Sequence, residues 1–293
     1  MLRPDMPELP EVETIARELD DRLRGRSAIG VVVNRRDIIH GDPRPLEVLL
    51  PGRQFMRVHR RAKRVIIELE PDGCLVVHLG MSGRLLVQGR QEPPLTHTHL
   101  QIRLSGQKKE ELRFRDPRRF GGVWFLDRSK TAPRETEPVG RLLGSLGEEP
   151  LDMRVPAFRR ILQRRRQIKA LLLDQTAIAG LGNIYCDEAL FAAGVHPATQ
   201  ANELNHAMAD RLLRAIKTTL RRAIRSRGST LLDYRTPDGE EGSFRQYHRV
   251  YQREGDPCHR CRRTIIRLVV AGRSTFVCPK CQPEQGTNLS RNR

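Results

Sequence analysis

Two groups of residues in this chain have the types and spacing to do chemistry. Cys258-x2-Cys261, sixteen residues, then Cys278-x2-Cys281 places two thiolates on each of two tight turns. Two such turns complete a tetrahedral site with no open position, the arrangement of one structural zinc ion. The second group is Met6-Pro7-Glu8-Leu9-Pro10-Glu11-Val12-Glu13, near the amino end. A proline at a free terminus carries a secondary amine that can attack an electrophilic carbon. Inside a peptide the same nitrogen is an amide, with its lone pair delocalised into the carbonyl. An α-amino group, with a reference pKa of ~8, is partly neutral at physiological pH, unlike a lysine at ~10. The adjacent Glu8 carboxyl suits a general acid. Met1–Asp5 precede this string, so the amine is available only if translation begins at Met6 and an aminopeptidase then removes that methionine. Taken alone, Pro7 reads as an ordinary helix-start proline, with Glu8 and Glu11 as acids favoured by the helix dipole.

The elements that must position these groups fall into two halves. Residues 11–24 read as a helix, with Val12, Ile15, Ala16, Leu19 and Leu23 on one stripe and Gly25 beyond it. From Ile29 to Asp127 the pattern is short β-type runs: Val31–Val33, Val65–Leu69, Cys74–Leu79, Leu100–Leu104, Leu112–Phe114 and Val123–Leu126. Strands at this spacing imply a sandwich or a barrel. Residues 128–150 are polar and rich in Gly and Pro, which suits a linker. Helical periodicity follows over 158–166, 168–177, 183–193 and 203–226, then a polar loop over 228–248. In the cysteine module, Thr264–Ile266 and Ser274–Val277 read as a hairpin turning near Ala271-Gly272-Arg273. The module's arginines, with Arg273 near the tip, suit a phosphate or a groove. A plain zinc staple is the alternative, and His259 is a bystander beside four sufficient cysteines.

Lys+Arg number 53 against 35 Asp+Glu in 293 residues, a net charge of +18. An excess this large, spread along the chain, points to a polyanion, most often nucleic acid. No apolar run approaches the length of a membrane span, and Met1–Asp5 lead into no signal-peptide core. The expected location is the cytosol. There, isolated Cys74 and Cys186 are buried thiols rather than a disulfide.

Six strings together resemble the formamidopyrimidine-DNA glycosylase family, bacterial enzymes that excise oxidised purines and cut the strand. They are Pro7-Glu8-Leu9-Pro10-Glu11-Val12-Glu13, Arg60-Arg61-Ala62-Lys63, His78-Leu79-Gly80-Met81-Ser82-Gly83, Asp116-Pro117-Arg118-Arg119-Phe120-Gly121, Gly180-Leu181-Gly182-Asn183-Ile184-Tyr185 and Arg273-Ser274-Thr275-Phe276. The resemblance implies an α+β multidomain fold. An N-terminal antiparallel β-sandwich with its helix (7–130) and a linker (131–150) would precede a helix–two-turn–helix domain (151–248), a zinc-ribbon β-hairpin (249–283) and a disordered tail (284–293).

It also implies a base-excision-repair glycosylase and abasic-site lyase, acting as a monomer on double-stranded DNA of the bacterial nucleoid. Pro7 would be the nucleophile and Glu8 the general acid. Lys63 would serve the β-elimination and Arg273 the δ-elimination. A guanidinium is too weak an acid to give up its proton, so Arg273 reads mainly as a phosphate clamp. Met81, Arg118 and Phe120 would fill the gap left by the flipped base. Phosphates would be held by His97, Arg118, Arg164 (where the family usually has lysine), Asn183 and Arg273. Asn183 would also cap the helix it opens. Glu188 would tie the helical unit together. Loop 228–248, with Ser229, Thr230 and Tyr234, resembles the segment that closes over the flipped purine. Two rival readings are an endonuclease VIII-like enzyme for oxidised pyrimidines and, with the first five residues retained, a silent lesion-binding protein.

Overall fold

The computed structural model describes residues 6–41, 44–127, 143–230 and 234–284. Met1–Asp5, residues 131–142 of the linker, residues 231–233 of the polar loop and residues 285–293 of the tail lie outside the described residues. The chain divides into two compact units, one built on residues up to 145 with 224–245, the other on 146–223 and the residues from 246 onward.

The first unit opens with helix α1 (Leu9–Leu23), two residues earlier than periodicity alone places it. The reason is local. A first-turn N–H has no intrahelical acceptor, so Pro10 loses no bond there. Glu8 and Glu11 form a reciprocal capping box, with the Glu11 Oε2 accepting the Glu8 N–H at 2.9 Å. The predicted stripe of α1 is fully buried.

Nine strands follow: β1 (Ala28–Val33), β2 (Ile39–Gly41), β3 (Gln54–Arg61), β4 (Arg64–Glu70), β5 (Gly73–His78), β6 (Arg84–Gly89), β7 (Thr98–Leu104), β8 (Glu110–Arg115) and β9 (Gly122–Asp127). They make a four-stranded sheet β1-β7-β8-β6 and a five-stranded sheet β2-β9-β5-β4-β3. Every pair is antiparallel except β2–β9. One core joins both sheets and α1, with Ile15 and Leu19 meeting Phe55, Ile67, Val77, Leu85, Ile102, Phe114 and Phe125. β3 escaped the sequence reading because a bulge between Phe55 and Arg57 breaks its alternation, leaving Phe55 and Val58 inward. β6 buries Leu85, Leu86 and Val87 in a row, so it shows no alternation either.

In the second unit, helices run Val155–Leu162, Ile168–Leu173, Asn183–Ala193 and His206–Arg225. The Asp174 carboxylate accepts the Thr176 N–H and hydroxyl and the Arg166 guanidinium, which stops the second helix four residues short of Ala177. The last helix starts after Asn205, whose Oδ1 accepts the Met208 N–H at 2.9 Å. The terminal hairpin is β10 (Ile266–Val270) and β11 (Arg273–Val277). A two-residue turn with Ala271 at φ 52° and Gly272 at φ 68° sets the register Val270↔Arg273. The first strand therefore begins at Ile266, and Thr264 instead forms an isolated bridge with Pro257.

Candidate functional site

Pro7 and Glu8 lie at the amino end of α1, and both are buried. The other oxygen of Glu11, Oε1, accepts the Ser229 N–H at 2.7 Å, so one carboxylate grips the backbone of Glu8 and the start of the polar loop. Lys63 is half-buried in the two-residue turn joining β3 and β4, where Ala62 takes φ 53°. A latch ties this turn to α1. Arg60 Nε bonds the Glu13 carboxylate at 2.9 Å, while its Nη1 donates to the Ala62 carbonyl at 3.0 Å. Burial alone would raise the Glu13 carboxyl, but Arg60, helped by Arg17, holds it below the ordinary carboxylate range.

Three turns at the strand ends carry Met81, His97, and Arg118 with Phe120. Met81 is half-buried, whereas His97, Arg118 and Phe120 are exposed. Phe120 shows 55% of its surface, and the Arg118 guanidinium lies 5.0 Å from its ring centroid. Gly80 adopts φ +61°, and a Cβ there would stand 2.5 Å from the Gly121 nitrogen. Only glycine lets the two turns approach this closely. His78, at the end of β5, is a residue the sequence reading passed over. Burial, reinforced by the charges of Arg64 and Lys63, lowers its pKa to about 4, so it is a neutral imidazole near the Lys63 turn. Tyr234 packs into the core of this unit, with its hydroxyl donating to the Arg227 carbonyl at 3.0 Å. It anchors the polar loop rather than projecting from it.

In the second unit, Asn183 is the first residue of its helix, and Gly182 holds the capping position. The expected side-chain cap is therefore corrected. The Asn183 Nδ2 donates instead to the Ser274 carbonyl at 3.0 Å, with the Tyr251 hydroxyl at 3.4 Å. That bond holds the strand one residue beyond Arg273, which is exposed beside the hairpin turn. Arg164 is exposed after the Val155–Leu162 helix. The Glu188 carboxylate accepts the N–H groups of Arg249, Val250 and Tyr251, each at 2.9 Å. A buried ion pair also serves this hairpin. Lys169 Nζ meets Asp187 Oδ1 at 2.6 Å and Thr275 Oγ1 at 2.7 Å, and Asp187 Oδ2 accepts the Phe276 N–H at 2.9 Å. Burial pushes the Asp187 carboxyl up to about 6 against the pull of Lys169.

The sulfurs of Cys258, Cys261, Cys278 and Cys281 all lie within 4.8 Å of one another. Cys261–Cys278 are 3.4 Å apart and Cys258–Cys281 3.9 Å. A tetrahedron with Zn–S bonds of about 2.3 Å has edges of about 3.8 Å. The four thiolates fit one structural zinc, closed to substrate. Arg260 donates to the Phe191 and Ala192 carbonyls at 3.0 and 3.1 Å, and Gln282 to the Val195 carbonyl at 2.9 Å. These bonds seat the module on the end of the Asn183–Ala193 helix.

Three family models match the chain: the formamidopyrimidine-DNA glycosylase N-terminal domain over residues 6–123, the H2TH domain of the same enzyme over 146–234, and the zinc finger found in FPG and IleRS over 255–283. The chain belongs to the formamidopyrimidine-DNA glycosylase family. A formamidopyrimidine-DNA glycosylase of Herpetosiphon aurantiacus is 44% identical over 282 residues, covering 94% of this chain and all of the relative. One from Gluconobacter oxydans is 44% identical over 284 residues, with the same coverage. The MutM (FPG) protein of Thermus thermophilus superposes with a TM-score of 0.82 at 42% identity, covering 95% of this chain and 99% of that one. A Lactococcus lactis FPG mutant in complex with a Fapy-dG containing DNA gives 0.86 at 33% identity, covering 95% of this chain and all of that one. Among the described residues, no helix is long and apolar enough to cross a membrane.

Membership in the family does not itself assign the individual side chains. The sequence reading missed the roles of Glu11, His78, Tyr251 and the Lys169–Asp187 pair. The only signal for the last was a Lys and an Asp on helices otherwise apolar enough to be buried.

Proposed function

We propose that this glycosylase is bifunctional and works on double-stranded DNA, removing oxidised purines such as 8-oxoguanine and formamidopyrimidines before nicking the strand. The observation that carries the reading is the assembly at the start of α1. Glu8 is buried beside Pro7 with its backbone held by Glu11, and the Arg60 latch joins the Lys63 turn to the same helix.

With Pro7 terminal, its amine attacks the sugar C1′ and the glycosidic bond breaks, the electron pair leaving with the base. The attached nitrogen then loses its proton, and its freed lone pair expels the ring oxygen as Glu8 protonates that oxygen, leaving an iminium on the opened sugar. That iminium acidifies the C2′ proton, and its removal expels the 3′ phosphate by β-elimination. Loss of a further proton expels the 5′ phosphate. Lys63 serves proton transfer in the first elimination. Arg273, with Asn183, His97, Arg118 and Arg164, holds phosphates, while Met81, Arg118 and Phe120 occupy the gap in the duplex. The zinc ribbon holds Arg273 in place and takes no part in bond breaking.

The unit containing 7–130 thus supplies the chemistry, and segments 151–248 and 249–283 supply DNA contacts. A monomer working on nucleoid DNA fits this assignment, as do the bacterial relatives and the lesion-bearing and abasic DNA in the Lactococcus lactis complexes.

The reading requires a chain that starts at Pro7 in the cell. N-terminal sequencing of the native protein should return Pro7; an active enzyme beginning at Met1 or Leu2 would exclude the mechanism. Borohydride should trap a covalent adduct between the Pro7-terminal protein and duplex DNA containing 8-oxoguanine. Absence of that adduct would end the Schiff-base assignment.

A further inference from the structure

Asp116 is fully buried in the first unit, and among the described residues neither a lysine nor an arginine bonds its carboxylate. The charge is met by a hydroxyl and a backbone amide. Oδ1 accepts the Ser82 hydroxyl at 2.5 Å, and Oδ2 accepts the Gly121 N–H at 2.8 Å. The backbone of Asp116 is equally engaged. Its N–H donates to the His97 carbonyl at 3.0 Å, and its carbonyl receives the Arg119 N–H at 3.2 Å and lies 2.8 Å from the His99 Nε2. Ser82 then uses its remaining capacity on Arg118, whose N–H reaches the Ser82 Oγ at 3.1 Å.

These bonds reach three turns. Ser82 follows Met81, His97 leads into β7, and Arg118 and Gly121 flank Phe120 on the turn that Asp116 opens. The residues assigned above to fill the gap in the duplex, together with one phosphate holder, therefore share one buried anchor. Backbone strain concentrates around it, with His97 at φ 68° and Arg119 at φ 54°, conformations that persist only when surrounding bonds impose them.

We propose that Asp116 is a positioning residue for base extrusion: its carboxylate locks the Met81, His97 and Arg118–Phe120 turns into one rigid wedge. This inference rests on the wedge role given to those residues under Proposed function. The carboxylate tethers both turns because it accepts at both oxygens. An alanine there would leave the Ser82 hydroxyl and the Gly121 N–H without their acceptor, and both turns would lose their tether.

The test separates extrusion from chemistry. Asp116→Ala, with zinc bound, is compared with the parent on 8-oxoguanine in a paired duplex and in a mismatched bubble, where the base is already unpaired. Loss on the duplex should be on the order of 10- to 100-fold in kcat/KM, the usual consequence of an ångström-scale misplacement. On the bubble the variant should stay within about twofold of the parent, because transition-state contacts are intact. Fluorescence of 2-aminopurine beside the lesion should show slower extrusion in the variant.

Ser82→Ala leaves the Gly121 tether in place and should give a smaller loss with the same duplex selectivity, which keeps the idea testable if Asp116→Ala does not fold. Equal losses on both substrates, or none on either, overturn the positioning role. Phe120→Ala tells the two readings apart. If it shows the duplex-selective loss and Asp116→Ala does not, only the Asp116 inference fails. If Phe120→Ala shows no such loss, the wedge reading fails and takes this inference with it.

Discussion

His78 shows how far a single side chain can depart from its solution behaviour. With its pKa lowered to about 4 by burial and by Arg64 and Lys63, it stays neutral across the physiological range. An unfolded histidine titrates near ~6.5, so between those values the unfolded chain binds more protons than the folded one. Stability is therefore complete above the unfolded value and falls as pH drops toward 4, by up to roughly 3 kcal/mol. NMR titration of His78 should show no inflection at the ordinary histidine pH, and His78→Gln should flatten the acid limb of the Tm-versus-pH curve. The zinc cysteines were legible in sequence because a Cys-x2-Cys turn is local. Asp116 and Glu11 stood in recognisable strings, but their bonds did not show: Ser82 is 34 positions from Asp116, and Ser229 is 218 from Glu11. Contacts of that range become visible only when the fold brings the partners together.

Among the elements, helices were easier to read than strands. The four-residue spacing of Leu212, Ile216 and Leu220 survives intact in the His206–Arg225 helix, where all three are buried. β3 was lost to a single bulge, and the start of β10 was set by its two-residue turn. Burial of α1 carries a measurable expectation. Leu19 is fully enclosed, so Leu19→Ala should cost about 2–5 kcal/mol in denaturant unfolding. The Lys169–Asp187 pair predicts a different pattern. Asp187→Ala strands a buried ammonium and should cost about 3–5 kcal/mol, whereas Lys169→Met with Asp187→Leu should recover most of that loss. Failure of the double variant to recover would mean that the hairpin needs the hydrogen bonds to Thr275 and Phe276, not merely a filled space.

For the molecule as a whole, composition spoke early: a net charge of +18 in 293 residues pointed to a polyanion before any fold was in view. If duplex DNA is that partner, the logarithm of affinity should fall linearly with the logarithm of salt concentration. Each neutralised phosphate should contribute a slope of about −0.9. Arg273→Ala should make the measured slope shallower by about one phosphate contact. Chelating the zinc should unfold residues 255–282, because the four Zn–S bonds are the cross-link that holds the two Cys-x2-Cys turns together. Circular dichroism and zinc release followed together would show whether the sandwich melts in a separate, later step. The seat of the zinc module has one further consequence. Arg260 and Gln282 grip the main-chain carbonyls of Phe191, Ala192 and Val195. Any residue type offers a carbonyl, so exposed Ala192 can change while the ribbon keeps its berth, whereas buried Phe191 also holds the Arg260 guanidinium 4.5 Å from its ring. Evolution, or an engineer exchanging ribbons between relatives, would then find this joint permissive at Ala192 and demanding at Phe191. The resistance would come from inside, where Lys169 and Asp187 must be inherited together.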